Sequence, residues 1–599
     1  MQDKNTTIPL EYEAFHPKMN AKLALEFLFK LTDAECGYLP YGLVAPMHET
    51  PYAEHGRADD AELVASWFEA VSCLREILSM DCGVEVEDGL RAHLLDEGWD
   101  ERSGLRFPVR RPWSRGAADY ALISEMADVL SALNRIVEIN GAGNAAAGRA
   151  AECRAQGLVR GLRRLATSQR ARLLGFGPAP LGYPCLSFAS DAFVLGSDGL
   201  DPACATGYAD SVMRCSTLIE PLVRRHALAG DDDALELATG LANRIVMLSR
   251  FFSARTEFSG STCAALRTAA GLIGLGKASG NEKYTQTGKG VYDFVRRGVS
   301  AFGWVPSHSN WQLPAEERCD GASVSWMMRC AAALTDSGFN EYFDDTHRFW
   351  RNHLEESQLT DTSFLPAPDA RPADDERRTY RDIAARILGG VSGCTAVNNM
   401  QFSKYAAVSP HCTAAAAQAM AMMWQRVAAQ SGACGLQVCF PVNYEDASVK
   451  VTVGYPNSGT IRAELKVGAQ VSFRLYPWMG PFFEGRINDR PAPFDRRDEF
   501  ITFEPLPAGS SVMISHELKT RRVMENVMGM DFFGVWRGPD MIDVLPHSFH
   551  VRLYQRVKGQ PKELPDGFGQ NRSAADLGPA AEPITAKEKK IVRRKPPKN

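Results

Sequence analysis

Between about residues 18 and 430, apolar side chains recur at three- and four-residue steps, as in the runs Ala61 to Ile77, Tyr120 to Ile139 and Ala234 to Phe252. That period gathers them on one face of an α-helix, and the period-two alternation of strands is rare in this region. Three places share a further pattern, in which a helical run ends in a small turn and a second run begins: Ala229-Gly230-Asp231, Ser279-Gly280-Asn281 and Ser337-Gly338-Phe339-Asn340. Glycine takes the left-handed conformation at a helix C-terminus, and Asp or Asn caps the helix that follows. Their recurrence at roughly fifty-residue steps predicts an array of helical hairpins, the alternative being unrelated helices with ordinary caps.

Near residue 432 the pattern changes. Ser448 to Gly454, Gln470 to Leu475, Phe500 to Phe503 and Ser511 to Ser515 alternate apolar and polar residues, with Gly, Pro, Asn and Asp between them. This predicts an antiparallel β-sandwich from 431 to 560, behind a helical domain at 18–430 and an N-terminal extension at 1–17. From about Asn571 the chain loses its aromatic residues and ends in Lys587, Lys589, Lys590, Arg593, Arg594 and Lys595. Residues 561–599 therefore read as a disordered basic tail.

With 599 residues, 45% of them hydrophobic, the chain can bury a large core. Its 67 Lys and Arg against 72 Asp and Glu give a net charge of -5, which provides no basic field for a nucleic-acid partner. The 14 cysteines follow no repeated spacing and form no CxxC, so neither a disulfide framework nor a zinc finger is expected. The polar N-terminus and the lack of a long charge-free apolar run point to no membrane partner and to a cytoplasmic location.

Two short words carry candidate chemistry. Glu317-Arg318-Cys319 and His411-Cys412, far apart in the chain, each precede or open a helical run. A carboxylate, an imidazole and two thiolates make a complete tetrahedral set for zinc, so Glu317, Cys319, His411 and Cys412 are its candidate ligands. Cys412 opens an Ala-rich helix, and a helix N-terminus or a bound metal favours the thiolate. The alternative is a small buried residue at a helix contact. Trp304, Trp311 and Trp326 flank the words and are either sugar-stacking platforms or ordinary core. No G-x-S-x-G word or phosphate loop occurs.

Several further words resemble one family. Trp536-Arg-Gly-Pro-Asp-Met-Ile-Asp-Val-Leu-Pro546, Leu553-Tyr-Gln-Arg556, Arg474-Leu-Tyr-Pro-Trp478 and Ile487-Asn-Asp489 are similar to strands of the β-L-arabinofuranosidase-like six-hairpin glycosidases. Tyr342-Phe-Asp-Asp345, Arg348 to Leu354, Gly389-Gly390 and His411-Cys412-Thr413 follow in the family's order. The resemblance implies a mainly α chain with a C-terminal β part: an α/α six-hairpin toroid followed by an antiparallel β-sandwich. It implies Glu317, Cys319 and Cys412 as zinc ligands in a retaining glycosidase whose nucleophile is a zinc-bound cysteine.

Two departures stand out. His411 occupies the place of the family's nucleophilic cysteine, which leaves Cys412 as the thiol available for attack. The segment Phe302 to Ala315, where the family's acid/base is expected, has no Asp or Glu, and His308 is its titratable side chain. The histidines expected near Ser259 to Cys263 are missing as well. The expected function is hydrolysis of a glycosidic bond in an oligosaccharide, with an arabinofuranoside as the sugar the resemblance implies. Cys412, Glu317 and His308 are the catalytic candidates, and a sugar-binding relative without catalysis is the alternative.

Overall fold

The computed structural model describes residues 11–558 apart from 57–59, 115–119, 142–144, 170–184, 201–210, 249–251, 254, 310–317, 369, 401–407, 432–434, 548–550 and 555. Glu317, Trp311 and the tail expected from Asn571 lie outside the described residues.

Of the fourteen α-helices among the described residues, two are short, Ser211–Ser216 and Ile383–Ile387, and the other twelve build the ring: α1 (Pro17–Lys30), α2 (Asp60–Leu78), α3 (Val84–Asp96), α4 (Met126–Asn140), α5 (Ala146–Leu165), α6 (Ile219–Ala229), α7 (Asp232–Asn243), α8 (Thr262–Ser279), α9 (Glu282–Arg296), α10 (Gly321–Thr335), α11 (Phe343–Phe349) and α12 (Pro410–Trp424). The even-numbered helices pack side by side in the order α2, α4, α6, α8, α10, α12, and α12 returns to α2. The odd-numbered helices lie outside them. The result is a closed α/α toroid.

Composition explains which helices go inside. A helix packed on several sides must be apolar or small nearly all round. Along α12, Cys412, Thr413, Ala414, Ala416, Ala417, Ala419, Met420, Ala421, Met423 and Trp424 are all buried. Outer helix α5 instead buries one stripe, with Ala151, Ala155, Leu158, Val159 and Leu162 facing in and its arginines facing out.

The hairpin tips follow the expected chemistry at two of three places. Gly230 and Gly280 end α6 and α8 with φ of 66° and 68°, and the side chains of Asp231 and Asn281 accept from the amides of Ala234 and Lys283. At the third, Gly338 has positive φ, but Asn340 opens a short 3-10 turn and its side chain does not cap α11.

The C-terminal part holds a six-stranded antiparallel sheet in which 449–453, 460–465, 511–516 and 483–487 are consecutive neighbours. Opposite it lies a five-stranded sheet containing 428–431, 435–438, 470–474 and 500–502. Strands 435–438 and 470–474 run parallel, a departure from the wholly antiparallel sandwich expected. A third sheet joins 520–527, 530–537 and 540–545.

Buried polar groups tie the two parts together. Arg351 pairs with the fully buried Asp540, and Arg556 Nε donates to Glu356 Oε1 at 2.6 Å. Asn352 receives the Met541 amide at 2.9 Å and donates to the Pro539 carbonyl at 3.0 Å. Charges taken out of water are stable only when paired, so loss of one partner costs far more than the pair contributes. Asp540→Ala leaves Arg351 with Glu355 as its remaining carboxylate partner and is expected to lower unfolding free energy by about 1 to 3 kcal/mol, read by urea denaturation. A loss within about 0.5 kcal/mol, as for an ordinary surface change, would contradict it.

Candidate functional site

The inner helices meet at their N-terminal ends. A cavity of about 210 Å³ there is lined by Glu62 near the start of α2, Ser124 and Asp128 at α4, Arg214 and Thr217 ahead of α6, and Ser261, Cys263, Ala264 and Arg267 at α8. Strand 308–309, ahead of α10, pairs with 260–261, ahead of α8. Gly321 of α10 packs so closely on α12 that a Cβ there would sit 3.4 Å from the Cβ of Cys412. The local reason is shared, because each inner helix begins in an irregular approach that carries polar residues. Closing the ring collects those approaches.

Asp128 and Arg267 dominate the cavity's charge. Arg267 Nη2 lies 3.0 Å from both oxygens of Asp128, and its guanidinium also stacks 5.2 Å from the Trp326 ring. Burial pushes the Asp128 carboxyl up to about 6, with Glu62 adding to the shift and Arg267 opposing it. Beside them, buried Asp191 accepts from the Ser124 amide at 2.8 Å and from its hydroxyl at 2.9 Å. Sequence reading missed the Asp128–Arg267 pair. Its signal was a carboxylate and a guanidinium each interrupting an otherwise apolar inner-helix face.

Cys412 is buried on the first turn of α12, where the Ser409 hydroxyl caps its amide at 3.2 Å. Burial pushes its thiol up to about 12, and Asp320 adds to the shift. Cys319 is buried in an extended approach, exchanging backbone hydrogen bonds with Thr395 at 2.9 and 2.8 Å. Its thiol is pushed up by burial, with Asp320 and Cys412 among the groups acting on it. Cys263 on the cavity wall is raised by burial and likewise feels Asp320 and Cys412. Cys263, Cys319 and Cys412 therefore share one end of the ring.

His308 is half-buried, and desolvation lowers its pKa while Asp320 opposes. His411 is half-buried on the first turn of α12. Trp304 is 1% exposed and donates to the Thr395 carbonyl at 3.1 Å, so it is core, and its reading as a sugar platform is corrected. One face of Trp326 carries Arg329 at 3.9 Å.

Among the described residues, the group of three metal-type donors whose ligand atoms all lie within 4.8 Å of one another is Asp33, Cys36 and His55. It can coordinate a metal ion. Cys319, His411 and Cys412 do not form such a group among the described residues. The Cys36 thiol is pushed up to about 11, by burial first and then by Asp33.

No family model matches the chain, and no curated protein matches it. Solved structures do. A GH127 β-L-arabinofuranosidase from Geobacillus stearothermophilus T6 is 12% identical with a TM-score of 0.53, over 89% of this chain and 86% of that one. A second GH127 β-arabinofuranosidase is 14% identical with a TM-score of 0.55, over 90% of this chain and 84% of that one. The fold resembles that of the six-hairpin glycosidases. A third structure, a glycoside hydrolase, is 11% identical with a TM-score of 0.51, covering 85% and 84%. At these identities the shared feature is the fold, and chemistry rests on the residues.

The raised Asp128 carboxyl has a signed consequence for stability. Its folded pKa lies above the unfolded value, so the folded state holds the extra proton between about pH 4 and 6, and this group's stabilising contribution is lost as pH rises through that window. Chemical denaturation is expected to show a smaller decline over that range in Asp128→Asn than in the parent. An equal decline would contradict the assignment.

Proposed function

We propose that this chain is a glycoside hydrolase acting on an oligosaccharide at the N-terminal mouth of the ring, with an arabinofuranoside as its sugar. The observation that carries the reading is the cavity lined by Asp128, Glu62, Arg267 and Cys263, at the end of the ring where Cys412 opens α12. A small polar cavity that carries a high-pKa carboxyl, at the end of the ring where Cys412 lies, suits acid-assisted displacement at an anomeric carbon. The choice of sugar is supported by the two solved structures of similar fold that are β-arabinofuranosidases.

The buried thiols at the mouth fit a soft cation, because without one their protons stay on. Glu317, Cys319, His411 and Cys412 are the residues that would hold zinc; the ligand atoms of Cys319, His411 and Cys412 do not all lie within 4.8 Å of one another, so they would have to close on the ion, which would supply positive charge that keeps the thiols ionised. Cys412 Sγ would attack the anomeric carbon as the bond to the leaving oxygen breaks and that oxygen takes a proton from the acid, and water, giving a proton back to the same group, would displace the sulfur to release the sugar. The leaving oxygen needs a proton. His308, with its pKa lowered, is a poor proton source at neutral pH, whereas Asp128 near 6 is closer to the poise of a general acid. Arg267 orients that carboxyl. The half-buried His411 takes the ligand place and leaves attack to Cys412.

A second reading, sugar binding without turnover, is favoured by the two equal contacts that hold Asp128 to Arg267. The chain is placed in the cytoplasm, where its cysteines stay reduced, with an oligosaccharide as partner and no nucleic acid.

The test is turnover of aryl and alkyl glycosides, furanosides included. Cys412→Ser is expected to abolish turnover of both. Asp128→Asn is expected to slow alkyl glycosides by about 10²- to 10⁴-fold and aryl glycosides much less, since a good leaving group needs little protonation. No turnover across the panel, with saccharide binding that survives Cys412→Ser, would establish the second reading instead.

A further inference from the structure

The connection between α1 and α2 holds a second constellation, outside the cavity but on the same end of the ring. Asp33 lies in the short strand after α1, Cys36 ends the turn that follows, and His55 comes just after strand 52–54. His55 Nε2 is 3.1 Å from Asp33 Oδ2, and its Nδ1 is 3.3 Å from the carbonyl oxygen of Pro40. A carbonyl oxygen only accepts, so Nδ1 carries a proton, and the ring presents Nε2 to a carboxylate oxygen. At 3.1 Å the two atoms are bridged either by a proton on Nε2 or by a metal ion in its place.

The geometry points to a zinc ion held by Asp33, Cys36 and His55, with a fourth position open to water. The donor set is one carboxylate, one thiolate and one imidazole, the mixture that zinc accepts. All three ligand atoms lie within 4.8 Å of one another. Donors about 2.0 to 2.1 Å from one tetrahedral ion lie about 3.3 Å apart, close to the observed nitrogen–oxygen separation.

The surroundings fix the ligands in advance. His55 is 1% exposed and its ring is sandwiched, with Tyr41 at 4.3 Å and 26° on one side and Trp113 at 4.5 Å and 12° on the other. Its Nδ1 contact to Pro40 is the outer hydrogen bond that orients metal-binding histidines and selects their tautomer. The backbone of Cys36 is anchored through its carbonyl to His93 Nε2 at 3.0 Å. Glu54, next to His55, is gripped by Arg378 at 2.7 Å and Arg377 at 3.1 Å. A bound ion links the segment leaving α1 to the segment entering α2, and so fixes the first inner helix to its outer partner.

Cobalt(II) is a visible probe for such a site, since a cysteine ligand gives a thiolate-to-metal band in the near ultraviolet. In full-length protein carrying Cys319→Ser and Cys412→Ser, equimolar cobalt is expected to give that band, and zinc to displace it. Adding Cys36→Ser is expected to abolish it. In the otherwise unaltered chain, zinc is expected to slow alkylation of Cys36 at least several-fold, read by peptide mass spectrometry. Absence of the band with Cys36 intact, its persistence in Cys36→Ser, or alkylation of Cys36 at the same rate with and without zinc would each overturn the site and leave His55 and Asp33 as an ion pair. Because the first experiment lacks Cys319 and Cys412, its outcome is independent of the chemistry proposed at the mouth.

Discussion

Closure of the inner ring between α12 and α2 is the constraint on which the site depends. The side chains that line the cavity come from elements spread between Glu62 and Arg267, and nothing local brings them together. The small residues of α12 allow the closure, because Ala414, Ala416, Ala417, Ala419 and Ala421 are all buried. Interiors pack at crystal-like density, so bulk added along this face must be met by movement of a neighbouring helix. Gly321 shows how little room there is, since a Cβ at that position would lie 2.4 Å from Val391 Cγ1.

The segment that follows the sandwich sheets supports this arrangement through a chain of buried hydrogen bonds. The Tyr554 hydroxyl meets His353 Nδ1 at 2.8 Å, His353 Nε2 meets Thr395 Oγ1 at 2.9 Å, and the backbone of Thr395 pairs with Cys319. Desolvation lowers the His353 pKa to about 3, so the ring is neutral and bridges a donor to an acceptor. The chain around Tyr554, after the last sandwich strand, thus reaches the approach to α10 through three side chains. A network fully satisfied in this way fixes position at the low dielectric of the interior.

Much of the architecture was legible in the sequence because it is written in local periods. The helical texture, the glycine turns at 230 and 280 and the alternation from Ser448 onward all mark elements where they occur. The parallel pairing of 435–438 with 470–474 was not legible, since alternation reports the face of a strand and says nothing of its neighbour's direction. Trp304 read equally as platform or core until its burial decided it. Asp128 escaped notice for a physical reason: an acidic residue in the first turn of a helix is ordinary there, favoured by the helix dipole. Only the ring places Arg267 opposite it. Asp33, Cys36 and His55 escaped because the strands around them are two or three residues long and carry no period to read.

The account's central claim is that the N-terminal mouth of the ring is where saccharide binds. A hydrogen-exchange difference map recorded with and without an arabinofuranosyl oligosaccharide tests it most directly. Protection is predicted in the segments containing Ser124 to Asp128, Ser261 to Arg267, Cys319 to Ser323 and Pro410 to Thr413, with the sandwich unchanged. Protection confined to the sandwich strands, with the mouth exchanging as in the free protein, would contradict it.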